Sequence, residues 1–189
     1  MTSRATFDWS QFQLGIYIDA QPDTLYNLWT TPVGLTRWFL RSAAFAPTDG
    51  PPPRKARRRI VVPPFSDLAP RADGQRCAVN DRYRWEWYYN GGIAGEEWIL
   101  AMRPPTKLTF GFGSGMEVEV LLRKQGRSCE VVLRQYRIPT NGPSRHNLHM
   151  GCRAAWTFFL TNLKSVAEGG ADLREMSRPR TMQLHLVNI

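Results

Sequence analysis

The alternation of apolar and polar positions predicts one long amphipathic helix within residues 147–174. Apolar side chains recur there at steps of three and four, which places them on one face of a helix. They are Leu148, Cys152, Trp156, Phe159, Leu163 and Val166. Gly169 and Gly170 follow, and glycine readily takes the left-handed conformation that ends a helix. A stripe of this width requires a broad apolar surface to cover it.

Alternation with a period of two predicts a series of strands ahead of this helix. The first strand is at 12–19, and short turns separate the others, at 82–89, 93–102, 106–112, 116–124 and 128–137. Such a series is typical of an antiparallel meander with one apolar face. After the first strand, Pro22 begins one short helix, and Thr31 and Pro32 begin a second as its N-cap and first helical residue.

This order of elements predicts an α+β fold of the helix-grip type. A curved antiparallel sheet of about six to seven strands would surround the long C-terminal helix, and the two short helices after strand one would close one end. We expect residues 1–189 to form a single domain with an insertion at 48–79 and a C-terminal extension at 175–189. In the extension Met182, Leu184 and Leu186 alternate, which fits an edge strand, a contact with another subunit or a flexible end.

Composition adds constraints on location and partners. The formal net charge is +9, and the insertion contributes +4 of it together with six of the 14 prolines. Its basic cluster at 54–59 has no interleaved aromatic residue, which disfavours nucleic acid as a partner and favours a solvated loop. Three widely spaced cysteines indicate free thiols. No segment has the length of a signal peptide or a membrane span, so we expect a cytoplasmic protein.

The opening segment IYIDAQPDTLYNLWTTPVGLTRWF resembles the strand-helix-helix start of the START-like superfamily, also called SRPBCC. Within it, the chain resembles the branch of homologues of the activator of the ninety-kilodalton heat-shock chaperone's ATPase. The resemblance covers about residues 12–47 and 80–174. Its most specific parts are Trp29…Thr31-Pro32…Trp38-Phe39, the strand Asp81-Arg82-Tyr83-Arg84-Trp85, and the terminus GCRAAWTFFLTNLKSVAEGGADLR.

The resemblance implies a helix-grip fold whose cavity, in many members, holds an apolar ligand. Other members are aromatic-ring cyclases, lipid carriers or hormone receptors, so the fold does not determine the function. The eukaryotic activators carry a further N-terminal domain that contributes to chaperone stimulation, whereas only residues 1–11 precede the first predicted strand here. This departure weakens the expectation of a co-chaperone. The insertion is also longer than expected for this branch.

The candidate site is a set of aromatic and polar side chains that would line a cavity between the sheet and the helix. They are Trp38, Tyr83, Trp85, Trp87, Trp98, Phe110, Gln135, Trp156 and Phe159. The alternative for each ring is ordinary core packing, since buried aromatic residues are mostly core. Glu96 and Glu97 place one carboxylate on each face of their strand, so one of them is a candidate to point inward.

Metal and catalytic chemistry are disfavoured. His146, His149 and Cys152 are spaced by three, and each such step rotates about −60° around a helix, so the three side chains do not converge on a metal. We expect Cys152 in the core and both histidines as exposed or capping groups. No phosphate loop or nucleophile elbow is recognisable, and we expect no metal and no cofactor.

Three functional hypotheses follow. The first is a non-catalytic module that binds a small hydrophobic molecule under the C-terminal helix. The second is an interaction module that contacts a chaperone or another protein, and the third is a cyclase-type enzyme. Monomer and homodimer are both open.

Overall fold

The computed structural model describes residues 7–50, 63–89, 92, 94–113, 115–141, 144–181 and 187–188. The basic cluster at 54–59 and the alternating residues of the tail lie outside these ranges.

Seven strands form one antiparallel sheet in the order β1-β7-β6-β5-β4-β3-β2. The strands are β1 (Phe12–Ile18), β2 (Ser42–Ala46), β3 (Arg82–Glu86), β4 (Ala94–Arg103), β5 (Lys107–Gly111), β6 (Glu117–Gln125) and β7 (Ser128–Tyr136). The helices are α1 (Pro22–Thr30), α2 (Pro32–Thr36), α3 (Ser144–Ala167) and α4 (Arg178–Thr181). Strands β3 to β7 are successive neighbours, so the predicted meander and the α+β helix-grip arrangement are confirmed.

The apolar face of the sheet forms the core together with α3. On β6, Val118, Val120 and Leu122 are buried, as their alternation predicts. The helix stripe faces the same side: Trp156 and Leu163 are buried, and its other members are buried or half-buried. The predicted surface under the helix is therefore present.

Strand β2 was not predicted from the sequence, and β3 is shorter than predicted. Three of the five β2 residues are alanines, which have a low strand propensity. In the described part of the chain, β2 lies at the edge of the sheet and pairs only with β3. Strand β3 ends at Glu86, so Trp87 leaves the ladder. Its ring covers Gly95 instead, with ring carbon Cζ3 3.0 Å from the point where a Cβ of Gly95 would lie.

The short helices begin as predicted. Pro22 and Pro32 are the first residues of α1 and α2. The Thr31 hydroxyl caps α2 by accepting a hydrogen bond of 3.0 Å from the backbone N–H of Gly34. A Cβ at Gly34 would lie 2.3 Å from the backbone oxygen of Asn27, so only glycine lets α2 pack this closely against α1.

Part of the insertion packs on β2 and β3. The backbone N–H of Arg71 donates to the Phe45 carbonyl at 2.7 Å. Its guanidinium pairs with Asp81, whose side chain is only 2% exposed, with Nη2 at 2.9 Å from Oδ1. Asp81 also accepts from the backbone N–H of Ala78, so this carboxylate is fully hydrogen-bonded although it is buried.

Hydrogen bonds join helix α3 to distant parts of the chain near both of its ends. Near its start, Nδ1 of His149 is 3.0 Å from the backbone oxygen of Trp9. Near its end, the Asn162 amide donates to the Trp38 carbonyl at 2.6 Å and accepts from the backbone N–H of Leu173 at 2.8 Å. Beyond Ala167 the chain leaves the helix through Gly169, which has a φ of 82°.

The expectation that both histidines are exposed is wrong for His149. Its side chain has no exposed surface, and its ring packs edge-on against Phe7, Trp9 and Phe12. These rings come from the segment ahead of and at the start of β1, which no helix periodicity could place beside α3. His146 is exposed, as expected.

Candidate functional site

The space between the sheet and α3 is filled by a continuous array of aromatic rings. Tyr83 and Trp85 stack at 3.8 Å on β3, and Trp85 meets Phe110 of β5 edge-on at 5.1 Å. From the helix side, Trp156 lies 6.4 Å from Phe110. Such contacts give the sheet and the helix a common aromatic interior.

A hydrogen-bonded side-chain amide lies inside this array. Gln135 of β7 has no exposed surface, and its side-chain oxygen accepts a hydrogen bond of 2.9 Å from Nε1 of Trp156. Its amide nitrogen lies 3.1 Å from the sulfur of Met116. Gln135 therefore fixes the orientation of the central helix tryptophan and is satisfied by the protein itself.

Five rings form what we call the aromatic rim: Phe39, Trp87, Phe112, Trp156 and Phe159. Trp87 and Phe112 are half-buried and meet edge-on at 6.4 Å. The ring centroid of Phe39 lies 6.0 Å from that of Trp87 and 4.7 Å from that of Phe159. The centroid of Trp156 lies 5.4 Å from that of Phe112. The rim is where the aromatic interior reaches the surface.

Glu97 brings a carboxylate to the inner face of the sheet beside the rim. In the β3–β4 register it is opposite Tyr83, and cross-strand partners share a face, whereas Glu96 is opposite Arg84. Its Oε2 lies 3.0 Å from the point where a Cβ of Gly111 would be. Burial raises the pKa of Glu97, and both burial and the nearby Glu97 raise the pKa of Tyr83.

Two buried indole N–H groups have no acceptor among the described residues. They are Nε1 of Trp29 and Nε1 of Trp85, and both side chains are fully buried. Each ring contacts Phe110, at 6.5 Å and 5.1 Å respectively. A buried donor without a partner is rare and costs free energy, so these positions call for an acceptor that the described chain does not supply.

The structure brings eight of the nine predicted site residues to this region. Six have no more than 2% exposed surface: Trp38, Tyr83, Trp85, Phe110, Gln135 and Trp156. Phe159 is 7% exposed, and Trp87 is half-buried in the rim. Trp98 does not join them, because it is opposite Arg82 in the register and lies on the outer face under that guanidinium, 5.7 Å from it.

Phe39 and Phe112 were not among the site residues predicted from the sequence. Phe39 directly follows Trp38 in the second helix motif, and Phe112 is two residues after Phe110, which is the spacing of one strand face. That spacing could have identified Phe112. The position of Phe39 depends on how α2 packs, which no local pattern shows.

Among the described residues, no cluster of three or more His, Cys, Asp or Glu side chains could hold a metal ion. Burial raises the pKa of Cys152, which disfavours a reactive thiolate there. In the same described part of the chain, no helix is long and apolar enough to cross a membrane.

Comparison with known proteins identifies relatives by family and by fold. The sequence model of the family described as "Activator of Hsp90 ATPase homolog 1-like protein" matches residues 19–168. A comparison with curated proteins found no match.

Solved structures with the same arrangement share little sequence with this chain. A protein from Staphylococcus saprophyticus has a TM-score of 0.62 at 10% identity, covering 87% of this chain and 96% of that chain. The Aha1 dimer from Colwellia psychrerythraea has a TM-score of 0.57 at 17% identity, with 85% and 97% covered. The AHSA1-like protein from Aeromonas hydrophila has a TM-score of 0.52 at 15% identity, with 81% and 90% covered. At these identities the similarity establishes the fold alone.

Proposed function

The chain belongs to the family of Activator of Hsp90 ATPase homolog 1-like proteins, and we propose that it is a non-catalytic member that binds a small hydrophobic molecule at the aromatic rim. The observation that carries this proposal is the continuity of the aromatic interior with the surface through two half-buried rings, Trp87 and Phe112. Large aromatic side chains at a rim with a few polar groups nearby are typical of small-molecule sites.

The unpartnered polar atoms support the same proposal. Glu97 supplies an acceptor, and the Trp29 and Trp85 indoles supply donors, in a region that is otherwise largely aromatic. A small molecule with an apolar body and one polar group would satisfy an orphaned donor and cover the exposed faces of the rim. Both effects favour the bound state.

Burial determines how such a ligand would reach the interior. Trp38, Trp85 and Phe110 have no exposed surface, so an incoming ligand first contacts the rim. Contact with the deeper rings requires that Trp87 or Phe112 rotates aside. The deep rings then act as the floor of the site, and the rim acts as its entrance.

Thermal unfolding in the presence of candidate ligands tests this proposal. We expect alcohols and acids of increasing chain length, together with bicyclic aromatic compounds, to raise the melting temperature by linkage. A ligand at about 100 times its Kd adds ~2.7 kcal/mol, which corresponds to roughly 5–10 °C for a chain of this size.

A pair of tryptophan variants localises the effect. Trp87→Leu removes a ring of the rim and should reduce the shift, whereas Trp98→Leu alters the outer face of the sheet and should leave it unchanged. The absence of a shift with every compound, or an equal loss in both variants, would contradict binding at the rim.

A second candidate function is a co-chaperone-like interaction, and the specific support for it is the family itself, whose description names the activation of the Hsp90 ATPase. A member with this role would bind the chaperone of its own cell and change the rate of ATP hydrolysis. An ATPase assay with excess protein tests it, and an unchanged rate counts against it.

A further inference from the structure

Glu97 differs from the other glutamates of the sheet because it has no cationic partner among the described residues. On the strands, Glu86, Glu96, Glu117, Glu119 and Glu130 each form a salt bridge with an arginine or lysine. Neither a hydrogen bond nor an ion pair joins Glu97 to any described residue, and burial is the only cause that shifts its pKa. In a chain with 25 Lys and Arg residues, shortage of cations does not explain this.

Two glycines border Glu97 on the inner face of the sheet. On its own face of β4, the neighbour two residues earlier is Gly95, which has the Trp87 ring above it. On the side of β5, Glu97 borders Gly111, and Phe112 follows directly. The carboxylate therefore lies between two glycines, and each glycine is adjacent to one half-buried ring of the rim.

We infer that Glu97, together with the Trp87 and Phe112 rings, selects a ligand that carries an amine or quaternary ammonium head on a hydrophobic body. A cation would pair with the free carboxylate, and the faces of aromatic rings attract the same charge. The apolar body would extend along Phe39 and Phe159 toward the interior. This inference rests on the proposed function, because it names the ligand class of that site.

The inference runs against the overall charge of the molecule. With a net charge of +9, unspecific attraction favours anions over cations. A preference for a cationic ligand would therefore be caused by a local group at the site, because the net charge of the protein favours anions.

Three ligands with the same eight-carbon chain test the inference: octyltrimethylammonium, 1-octanol and octanoate. Isothermal titration below the micelle concentration should give a Kd for octyltrimethylammonium that is about tenfold lower than that for 1-octanol, as expected for one cation–π and charge contact. Octanoate should bind most weakly, because its carboxylate is repelled by the carboxylate of Glu97.

Two glutamine variants assign the preference to one residue. Glu97→Gln keeps the shape of the side chain and removes its charge. The affinities for octyltrimethylammonium and 1-octanol should then lie within about twofold of each other. Glu96→Gln makes the same change on the neighbouring residue, which lies on the outer face and pairs with Arg82 and Arg84, and it should keep the preference.

The outcomes separate this inference from the proposed function. If the three ligands bind equally, or octanoate binds most tightly, the inference is wrong while the hydrophobic site remains. If none of the three binds, the inference is wrong, and the proposed function fails as well when the bicyclic aromatic compounds also leave the melting temperature unchanged. The ranking in the unmodified protein decides this even if Glu97→Gln does not fold.

Discussion

Substitution of Trp156 by Phe tests the role of the buried hydrogen bond between α3 and β7. The change removes the indole N–H that donates to Gln135 at 2.9 Å, and both side chains are buried. The side-chain oxygen of Gln135 is then left without its donor in an aromatic interior. We expect Trp156→Phe to destabilise the protein by more than the loss of ring volume explains.

The expected loss of stability in Trp156→Phe has two contributions. Replacing a buried indole by a phenyl ring loses apolar contacts that stabilise by about 1–2 kcal/mol, less than the cost of truncation to alanine. Leaving a buried acceptor unpaired costs about 1–3 kcal/mol more. Trp85→Phe is the matched control, because Trp85 is equally buried and its N–H has no acceptor among the described residues, so only the first contribution applies.

Urea unfolding followed by far-UV circular dichroism measures both variants without relying on tryptophan fluorescence. Trp156→Phe should cost about 1–3 kcal/mol more than Trp85→Phe. Combining it with Gln135→Leu removes both partners, and the double variant should cost about 1–2 kcal/mol less than the sum of the two single changes. Equal costs for the two tryptophan variants, or strict additivity, would refute the reasoning.

Three further changes have expected outcomes. Arg71→Ala leaves the buried Asp81 carboxylate without its partner and should lower the free energy of unfolding by about 3 kcal/mol in urea; a cost below half of that would contradict a buried ion pair. Thr31→Ala removes the cap on the N–H of Gly34 and should cost about 1 kcal/mol, with Thr31→Ser as the conservative control. Burial raises the pKa of Glu97, so its contribution to stability is present at low pH and is lost as the pH rises through the folded-state pKa. Thermal unfolding should thus show Glu97→Gln gaining stability relative to the wild type between pH 4 and pH 7, and a constant difference would be evidence against the raised pKa.

The sequence predicted the elements whose faces are set by local periodicity. Strands β1 and β6 and helix α3 each carry apolar residues at the spacing of one face, and that face is buried in the structure. Strand β2 could not be found in this way, because Ser42–Ala46 is stabilised by pairing with β3 and carries little signal of its own.

The candidate site was predicted less completely, for reasons of packing. Alternation placed Tyr83 and Trp85 on one face correctly, but Trp87 occupies its position only after β3 has ended. Trp98 was included for its ring, whereas the register with β3 places it on the outer face. The importance of Glu97 depends on the lack of a partner, and pairing between side chains on different strands is not visible in a linear pattern.

The hydrogen bonds near both ends of α3 also bear on the speed of ligand exchange. His149 and Asn162 hold the helix near both of its ends, to the backbone of Trp9 and of Trp38 respectively. Exchange would then depend on rotation of single rings, which is far faster than the displacement of a packed helix. Association measured by stopped flow should therefore show one concentration-dependent phase, and cross-linking α3 to the sheet should leave its rate unchanged.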